Sequence, residues 1–227
     1  VQSVRFERLF NLQGDLYVAH DPFMDVAMRR GQGVNAWCLG ELHPVIVVRK
    51  GNPKGVKSLR DLMLPDVRVY LTDYQHSTLG QMLPAIFKRA GVDFEEFNRT
   101  KAPPTHRSGS WVANQIIMGA ADAALVWQVV AALRSEDLDV VPLGDALPQP
   151  GVDTVTSATG RSYFVAPVKV AVVSLACSRR QRDIEDFVSF VISDTGRSIF
   201  AKAGFQISGL YGHRMYANGV RQDAPSK

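Results

Sequence analysis

The sequence predicts an α/β protein of two lobes, with mostly parallel sheets flanked by helices. Three observations carry this. Strand-like and helix-like segments alternate along the chain, as βαβ units require. A middle block has its own βαβ pattern. Two long apolar strands, 43–50 and 165–175, bracket that block and read as crossings between lobes. The 227 residues are 46% apolar, enough for a sizeable core in one large or two small domains.

The elements follow in order. "GDLYVAH" (14–20) reads as a short buried strand. "PFMDVAMRRG" (22–31) reads as a helix, with Pro22 in its first turn and Gly31 as its stop. "HPVIVVRKG" (43–51) is an apolar strand, and "KSLRDLM" (57–63) a short helix with Ser58 as its cap. "DVRVYLT" (66–72) is another buried strand. The spacing of Leu79, Met82, Leu83, Ile86, Phe87 and Ala90 predicts a helix that Gly91 ends. Pro84 should kink that helix or delay its start.

Polar, Pro-containing residues 95–109 read as a loop, and 110–120 as a helix that Ser110 can cap. Strand 121–127 has Asp122 at its mouth. Helix 128–135 and strand 138–144 follow, then a long loop over 145–163. "FVAPVKVAVVSLA" (164–176) is a long apolar strand. Residues 182–205 give two helices broken near Ser193–Thr195, and the tail after Gly209 is expected to be loose.

Bulk properties narrow the function. No run of about 18 apolar residues is present to span a membrane as a helix. No secretory signal is visible, and the start at Val1 reads as a processing site or a truncation. A net charge of +4 suits an anionic ligand. The scattered Lys and Arg argue against nucleic acid. The one local basic cluster, Ser178–Arg182, reads as a solvated helix start. Cys38 and Cys177 are too few for a disulfide framework or a Cys-rich metal site. They are either one bridge in an oxidising compartment or two buried thiols. Motifs for a nucleophile elbow, a phosphate loop or a zinc protease are absent.

Polar residues gather at strand ends. "YLTDYQHSTLGQM" (70–82) places Thr72, Asp73, His76, Ser77 and Thr78 between a strand and a helix. Ordinary turn chemistry needs one or two such residues. Arg107 to Ser110 precede a second helix, and Trp127-Gln128 a third. Ligands of open α/β sheets bind beyond the carboxyl ends of the strands. Helix N-termini there offer N–H donors and partial positive charge to an anion. The plain alternatives are that Ser77, Thr78 and Ser110 are N-caps, Arg107 is solvated and Trp127 is a packing aromatic.

The order of segments resembles the periplasmic solute-binding proteins of ABC importers, type II fold, above all the molybdate-binding type. The residues concerned are "GDLYVAHDPFMDVA" (14–27), "LHPVIVVRKGNPKGVKSLRDLMLPDVRVYLTD" (42–73), "GAADAALVW" (119–127), "PVKVAVVS" (167–174) and "DFVSFVISDTGRSIFAKAGFQ" (186–206). The resemblance covers about residues 14–207. It implies two α/β lobes that close on a tetrahedral oxyanion held by N–H groups and hydroxyls. It places lobe 1 at 1–48 plus 165–215, lobe 2 at 49–164 and a loose tail at 216–227. The implied ligand-binding residues are Ser77, Thr78, Leu79, Ser108, Gly109, Ser110, Trp127 and, facing the cleft, His20.

Two departures stand out. Trp127 replaces the Tyr common among molybdate binders, and indole donates but cannot accept. The family's first strand and two serine loops have no counterpart, since 1–13 carry only Ser3. The resemblance further implies a Cys38–Cys177 bridge beside the two hinge strands. It implies no catalysis, no cofactor or metal and no nucleic acid. It implies instead a monomer on the periplasmic or extracellular face, delivering an oxyanion to an ABC permease. Competing readings are a sensing domain of a regulator, a binder of a small carboxylate or phosphate ester, and an enzyme on the same two-lobed plan.

Overall fold

The structure is a computed structural model that describes residues 14–156, 162–165 and 167–222. Ser3, residues 157–161 of the expected 145–163 loop and residues 223–227 of the expected loose tail lie outside the described residues. No described helix is long and apolar enough to cross a membrane.

The first half of the chain sets the pattern. Strand β1 (Leu16–His20) enters helix α1 (Asp21–Arg29), which has Pro in its first turn and stops at Gly31 with φ 67°. Strand β2 (Gly33–Leu42), which no expected element covers, meets β3 (Pro44–Arg49) across His43. A 3-10 turn, Leu59–Met63, is closed by a capping box in which Asp61 accepts from Ser58 N–H at 2.8 Å. Strand β4 (Val69–Thr72) leads to α2 (Thr78–Arg89). Pro84 lies inside α2 and does not delay its start, which the Ser77 cap sets.

The expected loop 95–109 contains helix α3 (Phe94–Lys101). Asp93 caps it, accepting from Glu96 N–H at 2.7 Å, and its buried Phe94 and Phe97 pack on Phe87 of α2. It ends at Ala102 in the left-handed region, before Pro103. Two-residue β5 (Thr105–His106) and α4 (Gly109–Ile117) follow. Next come β6 (Ala123–Trp127), α5 (Gln128–Ala132), β7 (Leu138–Val141) and a second 3-10 turn, Gly144–Ala146. Part of the expected 145–163 loop is a hairpin, β8 (Thr154–Thr156) with β9 (Ser162–Phe164).

Strand β10 (Val168–Leu175) precedes α6 (Gln181–Val191) and α7 (Asp194–Lys202), which break where the sequence predicts. The tail expected to be loose instead forms β11 (Arg214–Ala217) and β12 (Val220–Arg221). Strand β11 pairs with β2, Arg214 opposite Trp37 and Tyr216 opposite Ala36 across a bulge.

The chain divides into two compact units. The first comprises the residues up to Leu39, Lys169–Arg197 and the residues from Gly209. Its sheet has the order β1-β10-β2-β11-β12, and its core gathers Met24, Met28, Ala36, Cys38, Ala171, Val173 and Met215. Strand β1 is an edge strand, with Tyr17 and Val18 exposed rather than buried as expected. The second unit comprises Gly40–Val168 and Ser198–Ser208. Its sheet is ordered β5-β4-β6-β3-β7, with Val45, Val47, Val112, Ala113, Ile116, Ala124 and Val126 at its core.

The sheets are not mostly parallel. Among the described pairings only β4–β5 and β4–β6 are parallel, while β1–β10, β2–β11, β3–β6, β3–β7, β8–β9 and β11–β12 are antiparallel. Strand β3 is the reason in the second unit. It runs between β6 and β7 against both.

No disulfide joins Cys38 and Cys177. Cys38 is buried in β2, and Cys177 is exposed in the turn after β10, where its thiol reaches Gly14 O at 3.4 Å. Ala176 N–H donates to Gln32 O, so Cys177 lies level with the start of β2. From there to Cys38 is about 20 Å of strand, against the roughly 7 Å between Cα atoms that a disulfide tolerates.

Candidate functional site

The second unit brings two expected loops to one end of its sheet. Strands β4 and β5 run parallel with Thr72 opposite His106, and Asp73 N–H donates to His106 O at 3.0 Å. The loop into α2 and the loop into α4 therefore start side by side. Strand β6 is parallel to β4, so Trp127 ends at the same edge. This is the carboxyl end of the parallel strands, where α/β sheets hold ligands.

Asp73 organises the first loop. One carboxylate oxygen accepts from the N–H groups of Gln75 and His76 at 2.8 and 3.0 Å. The His76 ring lies 3.2 Å from both carboxylate oxygens, and Arg107 Nε 3.9 Å from one. Burial acts upward on the Asp73 carboxyl, but the two N–H groups and the His76 ring outweigh it and hold it below the ordinary range.

Ser77 is the N-cap of α2. Its Oγ accepts from Gly80 N–H at 2.9 Å and donates to Asp73 O at 2.8 Å, and its own N–H donates to the same carbonyl. Its hydroxyl proton is thus committed within the loop. Thr78 and Leu79 begin the helix, Thr78 half-buried and Leu79 buried. Gly80 is required here. A Cβ on it would lie 1.9 Å from Asp73 O.

At α4 the cap is Ser108, not Ser110. Ser108 Oγ accepts from Trp111 N–H at 3.3 Å, and Ser108 N–H donates to His106 Nδ1 at 3.0 Å. The His106 ring stacks on Trp111 with centroids 4.5 Å apart. An N-cap hydroxyl bonds the N–H three residues on, which selects Ser108 over its neighbour. Gly109 and Ser110 are then the first helical residues, and the half-buried Ser110 hydroxyl has no hydrogen-bond partner among the described residues. Trp127, half-buried, precedes α5, whose first N–H, from Gln128, is taken by His43 O at 2.8 Å.

His20 belongs to the other unit, at the end of β1 where α1 begins. Burial pushes its imidazole below the ordinary range. Among the described residues no group of three His, Cys, Asp or Glu side chains is placed to hold a metal ion.

Thr72, which the sequence places in the polar run but not among the ligand residues, closes β4. It is only 3% exposed, and its Oγ1 has no hydrogen-bond partner among the described residues. Its sequence neighbours do not mark it, because only the folded chain buries the hydroxyl away from partners.

The family described as bacterial extracellular solute-binding protein matches residues 8–206. Solved structures are similar in fold. The periplasmic molybdate-binding protein of Azotobacter vinelandii superposes with a TM-score of 0.62 at 12% identity, over 87% of this chain and 80% of its own. The substrate-binding domain of a putative molybdenum ABC transporter from Clostridium difficile gives 0.61 at 16%, over 86% and 77%. PEB3 of Campylobacter jejuni, with L-phospholactate bound, gives 0.60 at 18%, over 86% and 80%. No curated protein sequence matches the chain. At these identities the likeness shows the fold alone: the α/β, type II periplasmic-binding fold.

Proposed function

The chain belongs to the bacterial extracellular solute-binding proteins, and we propose that it captures a small oxyanion, molybdate or tungstate in kind, for delivery to an ABC permease on the periplasmic or extracellular side of a membrane. The observation that carries this reading is the meeting of the α2 and α4 N-termini at the carboxyl ends of β4 and β5. Each helix directs its first-turn N–H groups and partial positive charge to that edge. The hydroxyl of Ser110 and the backbone N–H groups of Leu79, Gly109 and Ser110 are the ligand donors in this reading, with Thr78 and Trp127 at the rim. Ser77 and Ser108 serve as caps that hold the donors in place. Binding by neutral dipoles needs no metal, no nucleophile and no proton transfer.

A phosphate ester or small carboxylate is the second reading. The guanidinium of Arg107 at the mouth of the site favours it, because Arg suits bidentate contact with phosphate and carboxylate oxygens. The fold shared with L-phospholactate-bound PEB3 is compatible with it.

Thermal unfolding with molybdate, tungstate, sulfate, phosphate and phospholactate tests both. A ligand at 100 times its Kd stabilises by about 2.7 kcal/mol, a rise in Tm of roughly 5–10 °C for a chain of this size. A shift with the inorganic tetrahedral ions alone supports the first reading, and one with phospholactate alone the second. No shift with any of them refutes both.

A further inference from the structure

We infer that Thr72 is a ligand-binding residue, and that with Gly109 it floors an anion subsite beneath the first turn of α4. The inference rests on the oxyanion-binding reading. It adds a contact from inside the sheet, below the helix ends.

The Thr72 side chain lies on the face of β4 that packs under that turn. Side chains on one face of a strand recur every second residue, so Thr72 shares a face with Tyr70. Tyr70 packs on the core cluster that includes Val112, Ala113 and Ile116 of α4, and its ring lies 6.0 Å from that of Trp111. The flanking strands agree. Thr72 is opposite His106 of β5, whose ring stacks on Trp111. On the other side Tyr70 is opposite Ala124, which brings Val126 level with Thr72. Val126 lies 3.9 Å from where a Cβ of Gly109 would stand. Thr72 therefore sits between two residues that both face the first turn of α4.

A hydroxyl buried without a partner destabilises a fold unless something else uses it. Nothing in the described protein does. The oxygen of an anion seated on α4 would accept from Thr72 Oγ1–H and from the N–H groups above it.

Gly109 carries the same implication independently. It has no positive φ, and a Cβ there would meet nothing nearer than 3.8 Å. Neither backbone conformation nor packing calls for glycine. The missing side chain leaves space next to Val126, where a ligand can approach the backbone closely.

Isothermal titration and thermal unfolding of wild type, Thr72→Val, Thr72→Ser and Gly109→Ala decide the matter, using whichever of molybdate, tungstate, sulfate, phosphate and phospholactate binds wild type most tightly. Thr72→Val keeps the shape and replaces the orphaned hydroxyl with a methyl. We expect an unchanged or raised Tm without ligand and affinity at least tenfold weaker. Thr72→Ser should restore most of the affinity. Gly109→Ala should leave Tm unchanged or raised and weaken binding severalfold. Wild-type affinity in Thr72→Val overturns the inference and leaves the oxyanion reading standing. Equal loss in Thr72→Val and Thr72→Ser, with lowered Tm in both, assigns Thr72 a packing role and also overturns it. Wild type that binds none of the five anions refutes the oxyanion reading, and the inference with it.

Discussion

Replacing Gly80 with alanine should destabilise the protein, although alanine in a helix normally does the reverse. Gly80 is the third residue of α2 and has an ordinary helical backbone. Propensity alone would make G80A more stable by about 1 kcal/mol. The structure opposes this. The new Cβ would stand 1.9 Å from Asp73 O, where ordinary contact begins at 3.4 Å, so the two must part by about 1.5 Å. Asp73 O accepts from Ser77 N–H at 3.1 Å and Ser77 Oγ–H at 2.8 Å. A shift of that size loses both bonds, about 1 kcal/mol each. Strain in the surrounding packing adds about 1–3 kcal/mol. The net cost is roughly 2–4 kcal/mol, a fall in Tm of about 5–15 °C. Urea denaturation followed by circular dichroism measures it, with Gly109→Ala as the control lacking a clash. A G80A variant as stable as wild type would show that the loop relaxes freely, and would refute the rigid placement of the α2 N-terminus.

Three further outcomes are expected. Ser77→Ala should cost about 1 kcal/mol of stability, as the loss of an N-cap does, with anion affinity within a factor of two of wild type; a selective loss of affinity in titration would return Ser77 to the ligand. Burial pushes the Asp21 carboxyl up to about 6, against the pull of Lys169 and with a further push from Asp25. The native state then holds a proton that the unfolded chain has lost, so stability should fall as pH rises from about 4 to about 6. Asp21→Asn should flatten that part of the Tm-against-pH curve, and parallel curves would contradict the assignment. Finally, a thiol reagent should label Cys177 in the native protein and Cys38 only after unfolding, giving two free thiols without reductant; fewer than two would mean a bridge the structure does not contain.

Locally encoded features were legible in the sequence. The stop at Gly31, the Ser58 cap, the apolar strand β3 and the break between α6 and α7 each depend on a few adjacent residues. Features that depend on distant partners were not. β11 lies in a polar, Gly-rich stretch and is a strand because Trp37 and Ala36 of β2 supply its hydrogen bonds. β2 itself, "GVNAWCLGEL", opens on Gly33 and interrupts its pattern with Gly40. α3 is so polar that only the Asp93 cap and the Phe94–Phe97 spacing betray it, and the two prolines that follow draw the eye to a loop. At the candidate site the helix ends were readable. Which serine is cap and which is free was not, because Ser108 and Ser110 differ only in which N–H each can reach. The orphaned state of Thr72 exists only once the fold has removed every other partner.

The pairing of β11 with β2 also bears on how the molecule is made. Most of the second unit is one continuous run, Gly40–Val168, so its sheet can assemble soon after that run leaves the ribosome. The first unit gathers β1 and β2 from the early part of the chain, β10 from beyond residue 167, and β11 from beyond residue 213. Contacts so far apart in sequence form slowly, because a long loop must close before any of them is made. Until Arg214–Ala217 arrives, β2 exposes an open edge, the kind of surface on which nascent chains associate. The late strand thus sets the interval during which a newly made chain needs protection from its neighbours.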